Sequence, residues 1–89
     1  MEPARVIVVT TSGCHFCEDA KAKLDNLATH YPLQVRVVGA STPEGWALVS
    51  RHSPAFMPLV LLDGEFFSVG LFPHKKLRRK LDAREATSA

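Results

Sequence analysis

Two cysteines spaced three positions apart are the residues of this chain best suited to chemistry. Cys14 and Cys17 are its only cysteines, and they lie in the stretch TSGCHFC at residues 11–17. This stretch follows a β-branched run at residues 6–9 and precedes a helical pattern. The first sulfur is therefore predicted to lie near the free amides of the first helical turn. The second would lie one turn further in, within reach of a disulfide, so the spacing predicts thiol–disulfide exchange.

The two sulfurs are expected to have different roles. A thiolate is the nucleophile in such exchange, and a free cysteine has a pKa of about 8.5. The amides of a helix N-terminus favour the anion of Cys14, and a cationic His15 beside it would add to this effect. Cys17, deeper in the helix, is expected to remain a thiol until it attacks the mixed disulfide. Cys14 is therefore predicted to be the attacking thiol and Cys17 the resolving one.

Other readings of the side chains near the cysteines stay open. His15 is equally consistent with a solvated residue, and Phe16 either covers the sulfurs or helps to dock a partner. Trp46 is expected to be core or partly exposed packing, with no role assigned. Structural zinc normally takes four ligands, whereas the chain has only two cysteines and no ligand-like histidine spacing, so no metal site is predicted. An iron–sulfur cluster shared across a dimer through Cys14 is kept as an alternative.

Length and composition restrict the number of domains and the class of protein that the chain can form. The 89 residues are 46% hydrophobic and 22% charged, with a net charge of +2, which suits one small globular domain. We expect this domain at residues 1–84 and a frayed tail at 85–89. Neither a signal peptide nor a membrane-spanning run is recognised, so a cytoplasmic location is expected. Thiols are kept reduced in the cytoplasm, which favours a catalytic cysteine pair over a structural disulfide.

Patterning predicts the elements that position the cysteines. A strand at residues 5–10 has no polar alternation, as expected for a strand covered on both faces. An amphipathic helix of about 16 residues, begun by Ser12 or Gly13 and ended before Pro32, follows it. A second strand is predicted at residues 33–38. A second helix then starts with Thr42 as N-cap and Pro43 at its first position, and ends before Pro54.

The last third of the chain predicts a hairpin and a final helix. Strands at residues 57–62 and 65–69 are separated by Asp63-Gly64, a strong hairpin signal. Gly70 ends the second of these strands, and Pro73 opens the last helix. The predicted fold class is α/β: a four-stranded mixed sheet in the order βαβ-α-ββα with helices on both faces.

Five cations on the last helix allow two readings. Leu77 and Leu81 are spaced to face the core, which leaves the cations on a solvated outer face. The alternative is a patch for nucleic acid or an acidic partner. No interleaved aromatic residues support nucleic-acid binding, so the solvated face is preferred. The five are Lys75, Lys76, Arg78, Arg79 and Lys80.

The order of elements and two motifs resemble the thioredoxin fold and, within it, the glutaredoxins. The first motif is Gly13–Cys17 with its aromatic residue before the second cysteine, followed by Ala20-Lys21 and Leu24. The second is Met57-Pro58. The resemblance implies that Pro58 is cis and lies against the cysteine pair, and that Met57 offers backbone groups to a substrate peptide. It also implies substrate binding by His15, Phe16 and Gly70.

Two segments depart from the glutaredoxin pattern. Glutaredoxins usually carry a lysine shortly before the first cysteine, where this chain has Thr10 and Thr11. They also carry a Gly-Gly pair and an aspartate after the hairpin, which bind the terminal amino acid of glutathione. Here residues 68–74 read SVGLFPH, with one glycine and no acid. The electron donor therefore stays open between glutathione, another small thiol and a flavoprotein reductase.

The leading hypothesis is a monomeric, glutaredoxin-like oxidoreductase that reduces protein disulfides or mixed disulfides with small thiols through Cys14 and Cys17. No cofactor is expected to be bound; a low-molecular-weight thiol such as glutathione would act as reductant. Neither a membrane nor nucleic acid is predicted as a partner. The alternative hypothesis is a thioredoxin-fold adaptor or redox sensor with little turnover, docking partners through Met57-Pro58 and the basic helix.

Overall fold

Four strands and three helices follow one another along the chain in the predicted order. The structure is a computed structural model that describes residues 3–88, with side chains described for residues 3–84. The strands are β1 (Ala4–Thr10), β2 (Leu33–Gly39), β3 (Leu59–Leu62) and β4 (Glu65–Val69), and the helices are α1 (His15–Ala28), α2 (Pro43–His52) and α3 (His74–Ser88). Helix α3 thus passes the domain limit drawn at residue 84, and Ala89 lies outside the described residues. Across the described range, no helix combines the length and apolar character that a bilayer crossing requires.

The four strands form one mixed sheet in the order β2-β1-β3-β4. β1 runs parallel to β2 and antiparallel to β3, with Val9 opposite Leu59. β3 and β4 are antiparallel, with Leu59 opposite Val69. The end of β1, the start of β3 and the end of β4 therefore meet at one edge of the sheet. We call this edge, at the level of Thr10, Leu59 and Val69, the upper edge.

Both faces of the sheet are covered, as predicted from the absence of alternating polar residues in β1. Val6 and Val8 pack under α1 and α3, in a cluster with Leu24 and Leu77. Val9 belongs to a second cluster that includes residues of α2 on the opposite face. Successive side chains of a strand point to opposite faces, which explains why β1 needs apolar residues at nearly every position.

Local signals set the bounds of α2. The Thr42 Oγ1 accepts a hydrogen bond from the Gly45 backbone N–H at 3.1 Å, and Pro43 occupies the first turn. Ser53 ends the helix in the left-handed conformation, with φ of 45°, directly before Pro54. The predicted N-cap and helix end are confirmed.

Core packing of Trp46, one of the two arrangements expected from the sequence, is wrong. Its side chain is 67% exposed, and the buried residue of α2 is Gly45 instead. A Cβ built on Gly45 would lie 1.9 Å from the Gly39 carbonyl oxygen, so the helix approaches the end of β2 through its backbone. Trp46, the next residue of the helix, lies on its exposed side. Apolar periodicity cannot anticipate a contact made by a glycine.

Helix α3 has the expected inner and outer faces. Leu77 and Leu81 are buried, and the five cations of residues 75–80 are exposed. The ammonium of Lys76 lies 5.1 Å from the centre of the Phe67 ring, a cation–π distance.

A hydrogen bond connects α3 to the segment between α1 and β2. The Tyr31 hydroxyl donates to Asp82 Oδ1 at 2.6 Å, and this bond raises the pKa of Tyr31.

The β3–β4 hairpin turns on the predicted Asp63-Gly64 pair. Both residues have positive φ, 51° and 85°, as a type I′ hairpin turn requires. Asp63 accepts a hydrogen bond from the Arg5 backbone N–H at 2.9 Å and pairs with the Arg84 guanidinium. Burial by itself raises the pKa of Asp63, but these two partners outweigh it and hold the pKa below its ordinary 3.8.

Replacement of Gly45 by alanine is expected to destabilise the protein by about 3 kcal/mol, because the new Cβ overlaps the Gly39 carbonyl and forces α2 away from the sheet. Urea unfolding would measure this loss. The matched control is Ala47→Gly at an exposed position of the same helix, which should cost only about 1 kcal/mol. Equal losses in the two variants would contradict the close approach.

Replacement of Asp63 by asparagine is expected to lower the free energy of unfolding at neutral pH by up to about 1 kcal/mol. Asparagine tolerates the positive φ, so only the charge is removed. Since the pKa of Asp63 is lower in the folded state, its contribution is present above the unfolded pKa and is lost as pH falls through the folded pKa. Urea unfolding as a function of pH should show the difference between the two proteins vanish in acid; a constant difference would exclude this origin.

Candidate active site

Cys14 begins helix α1 as its N-cap, so the expected start at Ser12 or Gly13 is wrong. Cys14 has an extended backbone, with φ of −91° and ψ of 108°, and its Sγ accepts a hydrogen bond from the Cys17 backbone N–H at 3.1 Å. The sulfur thus takes the part that a serine or threonine oxygen plays at other helix starts. Ser12 and Gly13 form the preceding turn, in which Gly13 has a φ of 70°. This φ suits glycine.

The two cysteines are joined by a disulfide. Their Cα atoms are 5.2 Å apart, within the usual range for such a bond. Cys17 is buried, whereas Cys14 is partly exposed. Incoming sulfur atoms therefore have access to Cys14 and not to Cys17. This difference agrees with the roles predicted for the two residues.

Met57, Pro58 and Gly70 lie at the same edge of the sheet as the cysteine motif. β1 leads into the motif at the upper edge, Met57-Pro58 leads into β3 there, and Gly70 follows β4 there. The Met57–Pro58 peptide bond is cis, as the resemblance implied, and Pro58 is buried. The register of the sheet thus brings together three segments that are distant in sequence.

The third strand begins later than predicted. β3 starts at Leu59 and not at Met57. Proline has no N–H to donate to a ladder, so Pro58 cannot continue the pairing with β1. Its carbonyl oxygen instead accepts a hydrogen bond from the Gly70 N–H at 3.2 Å. This bond connects the segment before β3 to the segment after β4.

His15 and Phe16 both point away from the core. They are the first two residues of α1, and both side chains are exposed. Phe16 therefore does not serve as core packing over the sulfurs. Among residues 3–88, no cluster of three or more histidine, cysteine or acidic side chains could hold a metal ion.

Two exposed apolar residues of the site were not predicted from the sequence. Phe56 is 65% exposed and Leu71 is 59% exposed. Each is close in sequence to a predicted site residue: Phe56 precedes Met57-Pro58, and Leu71 follows Gly70. A Cβ built on Gly70 would lie 3.5 Å from the Phe56 Cβ, so Phe56 packs directly over that glycine. Proximity to the motifs was the only signal that could have singled them out.

Solved structures with the same arrangement identify the fold. An uncharacterized thioredoxin-like protein from Clostridium perfringens matches 91% of this chain over 70% of its own length, with a TM-score of 0.73 and 12% identity. The thioredoxin pre-protein of Schistosoma mansoni matches 92% of the chain over 79% of its own, with a TM-score of 0.67 and 16% identity. The chain has the thioredoxin fold.

A third structure, a mutant thioredoxin from Halobacterium salinarum, covers 92% of the chain and 74% of its own length, with a TM-score of 0.65 and 20% identity. No protein-family model matches the sequence, and no curated protein matches it. The likeness is therefore one of three-dimensional structure. The predicted α/β class and thioredoxin-like architecture are confirmed.

In the reduced protein, Cys14 is expected to react first with an alkylating reagent. Its sulfur is accessible and capped by a backbone N–H, whereas Cys17 is buried. Alkylation rates as a function of pH, with mass spectrometry to locate the label, would measure both thiols. Cys14 should titrate below about 8.5, the ordinary thiol value. Faster labelling of Cys17 at pH 6, or titration of both near the ordinary value, would contradict the assignment.

Proposed function

We propose that this protein is a thiol–disulfide oxidoreductase of the glutaredoxin type. It would reduce protein disulfides, or mixed disulfides with small thiols, by forming the Cys14–Cys17 disulfide. The observation that carries the proposal is the asymmetry of the pair. The Cys14 sulfur is accessible at the helix N-cap and accepts a hydrogen bond from the Cys17 backbone N–H at 3.1 Å, whereas the Cys17 side chain is buried. A purely structural disulfide does not require one accessible and one buried sulfur.

Electrostatics at the start of α1 support Cys14 as the nucleophile. The first amides of a helix carry partial positive charge, and the Cys17 N–H points at the Cys14 sulfur. In the dithiol form this donor stabilises a thiolate more than a neutral thiol. The pKa of Cys14 is therefore expected to lie below that of an ordinary cysteine, which raises the fraction of nucleophile at neutral pH.

The reaction proceeds in two exchanges. The Cys14 thiolate attacks one sulfur of the substrate disulfide, forms a mixed disulfide and releases the other substrate sulfur as a thiolate, which takes up a proton. Cys17 then loses its proton and attacks the Cys14 sulfur. The Cys14–Cys17 bond forms, and the second substrate sulfur leaves and is protonated. The substrate gains two electrons and two protons, and the protein becomes oxidised.

Two molecules of a further thiol must return the protein to its dithiol form: the first attacks the Cys14 sulfur and releases Cys17, and the second cleaves that mixed disulfide and leaves with the first as the disulfide of the reductant. We assign this step to a low-molecular-weight thiol such as glutathione, or an equivalent reductant of the cytoplasm.

We propose that the substrate contacts His15 and Phe16 at the start of α1. It would also contact Met57, Pro58 and Gly70, which lie at the upper edge of the sheet where β1 leads into the cysteine motif. The protein is proposed to act as a monomer without a bound cofactor.

Single substitutions of the two cysteines should have different effects. Cys14→Ser is expected to abolish turnover of hydroxyethyl disulfide, since no nucleophile remains accessible. Cys17→Ser is expected to keep the first exchange and stop at the mixed disulfide, because the resolving thiol is missing. The reaction of each reduced variant with hydroxyethyl disulfide in the absence of added thiol, together with the mass of the trapped species, would measure both effects, because an added thiol would itself cleave the mixed disulfide.

The adaptor hypothesis makes the opposite prediction. A binding module would retain its partners in both cysteine variants and would show no turnover even as the wild type. That result would exclude the oxidoreductase. Turnover that survives in Cys14→Ser but is lost in Cys17→Ser would reverse the proposed roles of the two thiols.

A further inference from the structure

Helices α1 and α3 form the two sides of a groove on the outside of the protein. Both helices begin at the upper edge of the sheet, where β1 and β4 end, so they run in the same direction. Their inner faces meet through Leu24 and Leu77 in one hydrophobic cluster. The groove outside this contact has a volume of about 680 Å³. Sites for small molecules have volumes of about 300–1,000 Å³, so the α1–α3 groove is large enough to hold one.

Hydrogen-bond donors line the α1–α3 groove from both sides. Lys23 and Asn26 of α1, and His30 just after it, lie along one side, and His74 and Arg78 of α3 lie along the other. Lysine and arginine side chains donate only, and an imidazole has an N–H to donate even when it is neutral. A ligand in the groove therefore meets donors from two directions.

The Lys23 ammonium is fixed at the upper end of the groove. It lies 2.9 Å from Asp19 Oδ2 and donates to the Phe72 carbonyl oxygen at 3.4 Å. The His74 backbone N–H donates to the same carbonyl oxygen at 3.1 Å, so Lys23 and His74 are brought together across the groove. An ammonium group has three donors, and Lys23 therefore keeps a donor that no residue with a described side chain accepts.

Arg78 lies one turn further along α3 and is restrained by Tyr31. The Tyr31 hydroxyl donates to Asp82, which raises the pKa of Tyr31, whereas a hydrogen bond with Arg78 acts to lower it. The planar guanidinium has further N–H groups for a ligand. Because Lys23 and Arg78 already have partners that restrain them, little side-chain freedom is lost when a ligand binds.

The charge around the groove favours an anionic ligand. Among the described residues that line it, Asp82 is the only acidic one, and its Oδ1 already accepts from Tyr31. The rest of α3 adds positive charge, because residues 75–80 include five cations and no acidic residue. Their summed field attracts an anion to this side of the protein.

We propose that the α1–α3 groove binds a small organic phosphate monoester. A phosphate group has a charge of about −1.5 to −2 at neutral pH and three strong acceptor oxygens. The Arg78 fork binds two of these oxygens, and Lys23 and His74 donate to the third. A carboxylate has only two oxygens in one plane, so it meets donors from the two helices less well. The organic part lies over Leu27 and the Tyr31 ring, which line the groove with apolar surface.

The test is a titration of the oxidised protein, followed by the NMR signals of its backbone amides. Cys14 and Cys17 do not line the groove, so binding is measured without any thiol exchange. The probes, at constant ionic strength, are phenyl phosphate, inorganic phosphate, which lacks the ring, and benzoate, which has a carboxylate instead. Phenyl phosphate is expected to give saturable shifts at residues 22–31 and 74–82 and none at the cysteines. It should bind about tenfold more tightly than either other probe.

Two pairs of variants distinguish a site from general attraction to a basic chain. Arg78→Gln removes a cation of the groove, and its control Arg79→Gln removes the adjacent cation, which does not line the groove. Lys23→Gln has Lys21→Gln as its control, because both lysines pair with an acidic residue of α1 and only Lys23 lines the groove. Each groove variant is expected to weaken binding of phenyl phosphate about tenfold, since a charge-assisted hydrogen bond is lost. Each control should weaken it by less than about twofold, because salt screens the more distant charge.

Retention of the wild-type amide spectrum in each variant shows that the fold is intact. The proposal would be overturned by the absence of saturable shifts with phenyl phosphate, by shifts centred outside the groove, or by equal weakening in a groove variant and its control. Equal affinity for benzoate would exclude phosphate as the preferred group. Equal affinity for inorganic phosphate would assign the groove to free phosphate and exclude an organic ligand. Turnover of hydroxyethyl disulfide tests the proposed oxidoreductase separately and is unaffected by any of these results.

Discussion

The position of strand β1 is the constraint on which the rest of the structure depends. β1 is hydrogen-bonded on both sides, to β2 and β3, and it is covered on both faces, so neither its register nor its direction can change without exposing core residues. Val9 and Leu59, its partner across the ladder, are fully buried. Because this pairing is fixed, the segment after β1 and the segment before β3 must emerge side by side. The cysteine motif and Met57-Pro58 emerge next to each other for this reason, although Met57 is 40 positions beyond Cys17 in sequence.

One hydrogen bond links the stability of α1 to the chemistry of the site. The Cys17 N–H would be an unsatisfied donor at the helix start, and the Cys14 sulfur accepts it. Sulfur is a weaker acceptor than the oxygen of serine or threonine when neutral, but a negatively charged sulfur is a stronger one. The helix start is therefore better satisfied by a thiolate than by a thiol. A residue chosen for capping alone would be an ordinary Ser, Thr, Asp or Asn.

The sequence predicted those features that depend on short-range signals. Element order, the Thr42 cap and the Asp63-Gly64 turn each follow from a few adjacent residues with strong conformational preferences, and all three are present. Features that depend on packing between distant segments were missed. Core packing stayed open for Trp46, because the sequence pattern does not show that Gly45 brings the helix backbone against Gly39. Likewise, Phe56 lies close to Gly70 only because the folded sheet brings their segments together.

The cysteine motif and Met57 pack against opposite faces of the sheet. Helix α1, which carries the cysteines, packs through Ala20 and Leu24 on one face of the sheet. Met57, like Leu48 and Val49 of α2, packs against the cluster of buried residues on the other face. The position of the cysteines thus depends on packing on one face of the sheet, and the position of Met57 depends on packing on the other. A change in the α2 layer would therefore move Met57 relative to the sulfurs without changing the helix that carries them.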